Sequence, residues 1–192
     1  MGRWPRGEAD IEQLIAEGRL EPVTGAGADG SPLLEQARKT AATAAGLVQD
    51  DPYSAFVLAY DAARFACAAL LAQQGLRSTV TGGHLAVENA VRAQFGDGFR
   101  PFGALRRRRN ELEYLSRPAD TTTPEEAEQA AKTAQQLVEA AGKLLPELSF
   151  FSKLTRGVTE DLRRADLGPD PAVGQDHNGI EALLEANLSS EA

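Results

Sequence analysis

Cysteine, histidine and aromatic residues are scarce in this chain, and each scarcity removes a class of chemistry. The only cysteine is Cys67, so an internal disulfide is excluded. Its neighbours Phe65, Ala66 and residues 68–71 are apolar, which suits a small buried side chain better than a reactive thiol in electropositive, exposed surroundings. Two histidines, His84 and His177, and one cysteine offer no zinc-binding spacing, and no acidic loop has the ligand order of a calcium site. Neither a metal nor an organic cofactor is therefore expected. With 6% aromatic residues, alanine-rich segments, few β-branched runs and no alternating pattern, the chain favours helices over sheet. Apolar runs are short: the best, residues 55–72, is interrupted by Asp61 and Arg64, so no membrane span is expected. The glycine-rich stretch 25–30 follows a helical pattern rather than a strand, which makes it a linker and not a dinucleotide fingerprint. The first residues lead into acids rather than an apolar core, so no signal peptide is read and a cytoplasmic protein is expected.

What the chain does have is arginine in one place. Arg106-Arg107-Arg108-Arg109-Asn110-Glu111-Leu112-Glu113-Tyr114 lies in a segment with helical periodicity. Phe102, Leu105, Arg109 and Leu112 share one stripe, so Arg109 stands where an apolar side chain is expected to be buried. Asn110 and Tyr114 are i,i+4 neighbours, as are Arg109 and Glu113. The run reads either as a solvated face of Arg/Glu pairs or as a polyanion-binding face. The net charge of −8 argues against nucleic acid only until its distribution is considered. The acidic excess sits at the ends, −3 in residues 1–30 and −5 in residues 155–192, while residues 76–118 carry an excess of four positive charges. That local excess can contact a phosphate backbone.

Helix boundaries are signalled by glycine, proline and capping residues. Residues 8–17 form a short helix with Ile11, Leu14 and Ile15 on one face, stopped by Gly18. Residues 21–30 are a linker. Ser31-Pro32 opens a helix to about Gln49 with a hydroxyl cap. Asp51-Pro52 opens the longest apolar helix, with a stripe of Phe56, Ala59, Ala63, Ala66, Cys67 and Leu70, ended by Gly75. Gly82-Gly83 leads into a helix through Phe95 that aligns His84, Val87, Val91 and Phe95. Residues 96–98 break the chain before Pro101 opens the arginine helix. Thr123-Pro124-Glu125-Glu126 supplies a capping box for a helix reaching Leu145 or beyond, with a kink expected near Pro146. On the core helix Asp61 and Arg64 are i,i+3, either a surface ion pair or groups that meet the arginine helix across the bundle. His84 is either a local hydrogen-bonding residue or a proton carrier. In the tail, Ile180, Leu183, Leu184 and Leu188 have the spacing of a short helix that folds on a partner.

From Asp51 to about Phe151 the chain resembles a HEPN domain. The resemblance rests on Tyr60-Asp61-Ala62-Ala63-Arg64, Gln74-Gly75-Leu76-Arg77, Gly82-Gly83-His84 and Arg108-Arg109-Asn110-Glu111-Leu112-Glu113-Tyr114, which are similar to an actinobacterial branch of that family. It implies an all-α protein, an antiparallel helical bundle that forms a homodimer, often within prokaryotic toxin–antitoxin or defence systems. The corresponding division is an N-terminal helix and linker over residues 1–30, the bundle over 31–154, and an acidic, flexible C-terminal segment over 155–192. Many members are metal-independent ribonucleases that use an arginine, a polar residue after it and a histidine four to six residues further along, paired across the dimer. Arg109 and Asn110 match the first two positions, and the third is Tyr114.

Tyrosine changes the expected chemistry. In metal-independent RNA cleavage a histidine exchanges protons near neutral pH while arginine stabilises the charge on phosphorus. Tyrosine, with a reference pKa of about 10, is a poor base, although it can stack on a base or donate a hydrogen bond. Two functions stay open. One is an RNA-cleaving, toxin-like enzyme using Arg109, Asn110 and Tyr114, with His84 as substitute proton carrier. The other is a non-catalytic dimer that binds RNA, a nucleotide or a protein through the same groove, with Arg106, Arg107, Arg108, Glu113, His84, Asp61 and Arg64 as candidate binding residues. By family analogy, Tyr114 is also a candidate for nucleotidylation by a cognate nucleotidyltransferase antitoxin.

Overall fold

The computed structural model describes residues 6–113 and 121–151. These residues form six α-helices and one two-stranded sheet: α1 (Glu8–Ala16), β1 (Leu20–Pro22), α2 (Ser31–Leu47), α3 (Pro52–Gln73), β2 (Leu76–Ser78), α4 (Gly83–Phe95), α5 (Arg100–Glu113) and α6 (Pro124–Leu144). The all-α bundle expected from the composition is therefore what the described residues adopt. Tyr114, His177 and the whole segment 155–192, including the apolar positions from Ile180 to Leu188, lie outside them.

Helix α3 is the axis of the bundle. It packs along α2 and α6 and also meets α4 and α5. Its expected stripe is buried throughout: Phe56, Ala59, Ala63, Ala66, Cys67 and Leu70 all lie in the core. The facing surfaces are also alanine, with Ala37, Ala41 and Ala44 on α2 and Ala130, Ala134 and Ala141 on α6. Small side chains let helix axes approach at the short end of the usual range of about 8–10 Å, so few aromatic residues suffice. By length and mean hydropathy α3 does meet the criteria for a membrane span, which corrects the expectation from its two charges; 67% of its apolar window is buried inside the protein, so that apolar surface is occupied by other helices.

Side-chain caps stand at the starts of α3 and α6, and the expected cap of α2 is reassigned. Asp51 accepts from the Ser54 amide at 3.0 Å and Thr123 accepts from the Glu126 amide at 3.2 Å. At α2 the cap is not the Ser31 hydroxyl. The Asp29 carboxylate accepts from the Ser31 amide at 2.8 Å, and those hydrogen bonds hold its pKa below the usual carboxylate value. Helix α2 ends at Leu47, and α6 ends at Leu144 in a 3-10 turn over Leu145–Glu147, so Pro146 terminates the helix rather than kinking it.

The expected linker over residues 21–30 is structured. β1 pairs antiparallel with β2, placing Leu20 opposite Ser78 and Pro22 opposite Leu76, and a 3-10 turn follows over Gly25–Ala28. Gly75, at φ +72°, turns the chain out of α3 so that Leu76 is buried in the same core as Leu20. Backbone groups beside that core need partners, and the short ladder supplies them. Helix α1 contributes Ile11 and Leu14 to the core and packs on α4. A buried amide pair, Gln74 Nε2 donating to Gln94 Oε1 at 2.8 Å, ties the end of α3 to α4.

Candidate functional site

Helices α4 and α5 line one groove, and α3 packs against both. The first turn of α4 contributes His84 and α5 contributes Arg106 and Asn110. Tyr60 on α3 touches His84, and Asp61 and Arg64 on α3, with Arg109 on α5, act on it by charge. Gly82, Gly83, His84, Leu85, Arg106 and Asn110 line an open groove of about 350 Å³. Gly82 makes the approach of α4 possible, because a Cβ there would lie 2.1 Å from the Arg19 carbonyl oxygen.

Tyr60 and His84 form the polar centre. The Tyr60 ring is buried and stacks on Phe102, with centroids 6.0 Å apart and planes 4° apart. Its hydroxyl lies 2.5 Å from His84 Nδ1. Burial pushes the Tyr60 pKa up to about 12, Arg64 opposing and Asp61 reinforcing that shift, so the hydroxyl keeps its proton at neutral pH. The His84 pKa is lowered, first by desolvation and then by Arg64, with Arg109 and Arg106 adding to the effect and Asp61 opposing it. Neutral imidazole is thus the resting form. Two tautomers satisfy the contact: Tyr60 donates to Nδ1 and the ring carries its proton on Nε2, or Nδ1–H donates to Tyr60 Oη and Nε2 is left with a free lone pair.

The arginine run divides by direction, and every one of its four members reaches a carboxylate. Arg106, 19% exposed, donates from Nε to Glu88 Oε2 at 2.6 Å. Arg107 is exposed and lies 3.8 Å from Glu88 Oε1. Arg108 turns away toward α6, donating to both Glu126 oxygens at 2.6 and 3.2 Å, with Glu111 at 3.4 Å. Arg109 pairs with Glu113 on its own helix. Its side chain is 26% exposed, whereas Phe102, Leu105 and Leu112 are buried. The expectation that Arg109 occupies a buried stripe position is corrected accordingly: it sits at the rim, where the guanidinium reaches solvent while the stem packs. Asp61 and Arg64 form a local pair at 3.1 Å, with the Arg64 guanidinium also 4.3 Å from the Phe65 ring centre. They act on His84 and Tyr60 through their charge.

The site thus brings His84, Arg106 and Asn110 to one groove, with Tyr60, Asp61, Arg64 and Arg109 around it. Arg107 and Arg108 stand apart from it. Tyr114 is outside the described residues.

Sequence reasoning missed Glu88. The residue is 3% exposed among Ala86, Val87, Ala90 and Val91, and the signal was available: a lone carboxylate on the apolar face of α4. Gly103 on α5 is the matching feature. A Cβ there would lie 2.2 Å from Glu88 Oε1 and 2.8 Å from its carboxyl carbon, so glycine gives the carboxylate its space. Among the described residues no three His, Cys, Asp or Glu side chains gather as metal ligands would. Comparison of the chain with protein-family models, with curated proteins and with solved structures finds no match.

Proposed function

We propose that this chain is a HEPN-like, RNA-targeting protein of a prokaryotic toxin–antitoxin or defence system, acting in the cytoplasm as a homodimer, and that it cleaves single-stranded RNA without metal. The observation that carries this reading is the Tyr60–His84 pair opening on a groove that also holds Arg106 and Asn110. In the tautomer with Nδ1–H donating to Tyr60 Oη, Nε2 accepts the proton of a ribose 2′-hydroxyl as that oxygen bonds to the adjacent phosphorus. The imidazolium then returns a proton to the departing 5′-oxygen, leaving a 2′,3′-cyclic phosphate and a 5′-hydroxyl. Arg106 offers positive charge to the phosphoryl oxygens, and Asn110 offers an amide to a phosphate or base edge. His84 thereby takes the proton-transfer role that Tyr114 fills poorly.

The test is cleavage of end-labelled RNA in the presence of a chelator. His84→Gln should lower the rate by roughly 10²–10⁴-fold, the usual worth of a positioned acid–base group, while RNA binding persists. Cleavage unchanged in His84→Gln would refute the assignment.

A second reading, a non-catalytic module for RNA, a nucleotide or a protein partner, is favoured by the carboxylate partners of all four arginines in the run. Binding without cleavage at any pH would select it. Under either reading α5 of two copies is proposed to face its counterpart; a monomer in sedimentation at tens of micromolar would remove the shared groove. Nucleotidylation of Tyr114 by a partner nucleotidyltransferase is tested by mass spectrometry of the co-expressed proteins.

A further inference from the structure

Glu88 is a buried carboxylate with three guanidinium groups around it. Arg92 on its own helix lies 3.8 Å from Oε1, Arg107 on α5 lies 3.8 Å from the same oxygen, and Arg106 meets Oε2 at 2.6 Å. A buried carboxylate is costly unless paired, and here the pairing has a direction. Arg106 is held through Nε, the nitrogen on the stem side of the guanidinium, and the same residue lines the groove beside His84 and Asn110. Gly103 leaves room for the carboxylate between α4 and α5.

We infer that Glu88 is the positioning residue of the groove: it fixes Arg106 by its Nε so that the terminal nitrogens face a phosphate group bound beside His84. The inference rests on the phosphate-binding part of the proposed function and is independent of whether RNA is cleaved. One carboxylate is shared among three arginines, and of the three Arg106 is the one that lines the groove, so its charge is the one offered to an anionic ligand there.

The test uses the full chain and inorganic pyrophosphate as probe, followed by the His84 imidazole signal in NMR. Only His84 and His177 contribute such signals, and His84→Gln identifies which is which. Wild-type protein at low salt should show a saturable shift of the His84 signal. Glu88→Gln, similar in shape but without the charge, should weaken pyrophosphate binding tenfold or more. The His84 titration should change little, because burial and Arg64 act on that ring more than Arg106 does. Tyr60, Asp61, Arg64 and Arg109, the other groups acting on His84, are left in place. Arg106→Lys provides the second variant: an ammonium group drawn to Glu88 cannot also face the groove, so binding should fall as in Arg106→Ala. Wild-type affinity in Arg106→Lys, or wild-type affinity in folded Glu88→Gln, would overturn the inference. So would the absence of pyrophosphate binding by the wild type. Binding that depends on Glu88 in a protein that does not cleave RNA would remove the ribonuclease and leave the positioning role. Cleavage indifferent to Glu88→Gln would do the reverse.

Discussion

Two helical glycines make opposite predictions for the same substitution. Replacing glycine by alanine inside a helix gains about 0.8–1.0 kcal/mol of intrinsic preference. At Gly142 on α6 the new methyl would meet only the flexible end of Arg38, Nη2 at 3.1 Å, and Leu34 Cδ2 at 3.9 Å, so Gly142→Ala should be stabilising by most of that gain. At Gly103 the methyl would lie 2.2 Å from Glu88 Oε1. That oxygen is not free to swing away, because the other carboxylate oxygen is bound to Arg106 at 2.6 Å and the side chain is buried. Relieving such a clash costs about 1–3 kcal/mol, which exceeds the propensity gain and leaves Gly103→Ala destabilised by about 1 kcal/mol. The two variants should therefore differ by about 2 kcal/mol in urea unfolding at constant m value. For a chain of this length that is roughly 4–8 °C in melting temperature. Equal stabilisation by both would show that Glu88 moves at no cost, and the argument that α4 and α5 lock its carboxylate would fail.

Tyr60→Phe keeps the ring stacked on Phe102 and removes only the hydroxyl. It should cost about 1 kcal/mol of stability and lower RNA cleavage while leaving RNA binding nearly intact; wild-type cleavage would exclude the orienting role. Arg108→Ala loses the contact with Glu126 between α5 and α6, which at partial exposure is worth about 1 kcal/mol or less, and should leave cleavage unaffected. Loss of activity without loss of fold would place Arg108 in the site after all. Because the His84 pKa is lowered on folding, the unfolded chain binds a proton more readily than the folded one. That contribution to stability is fully present above about pH 6.5 and is lost as pH falls through the folded-state value. His84→Gln should therefore flatten the acid side of the stability profile, measured by urea unfolding from pH 7.5 to 4.5; an unchanged slope would refute the shift.

The bundle was legible because its signals are local or periodic. The α3 stripe from Phe56 to Leu70, the caps at Asp51 and Thr123 and the stop at Gly75 each depend on residues close together in the chain. Pairing of β1 with β2 was not, since three residues a side are too few to show alternation and their partners are more than fifty positions apart. The site was half legible. Arg106, Arg109, Asn110, His84, Asp61 and Arg64 were all singled out, and of these His84, Arg106 and Asn110 line the groove while the others act on His84 by charge. The Tyr60–His84 contact and the Glu88–Arg106 contact were not, because each joins two helices whose relative rotation no single helix specifies. Counting charge along the chain also misled in one respect. The positive excess of residues 76–118 omits Glu126, which reaches back from α6 to take Arg108.

Ion pairing on α5 and phosphate binding beside it are compatible, and the reason lies in how the pairs are shared. Arg108 has two carboxylates and Arg109 has one, so those two guanidiniums gain little from a further anion. Around Glu88 the ratio is inverted, three arginines to one carboxylate. The carboxylate is buried and cannot follow a ligand, whereas Arg107 is exposed and Arg106, though mostly buried, lines the groove. Burial of the acid and exposure of Arg107 separate the charges radially, and α5 itself, with five arginines against two glutamates, carries a net positive charge. Salt dependence measures this directly. A groove that neutralises one phosphate through Arg106 should give a slope of about −0.7 in log K against log salt for single-stranded RNA. A slope near zero would mean that the pairs are closed, and a slope several times steeper would mean that RNA is held by a surface other than this groove.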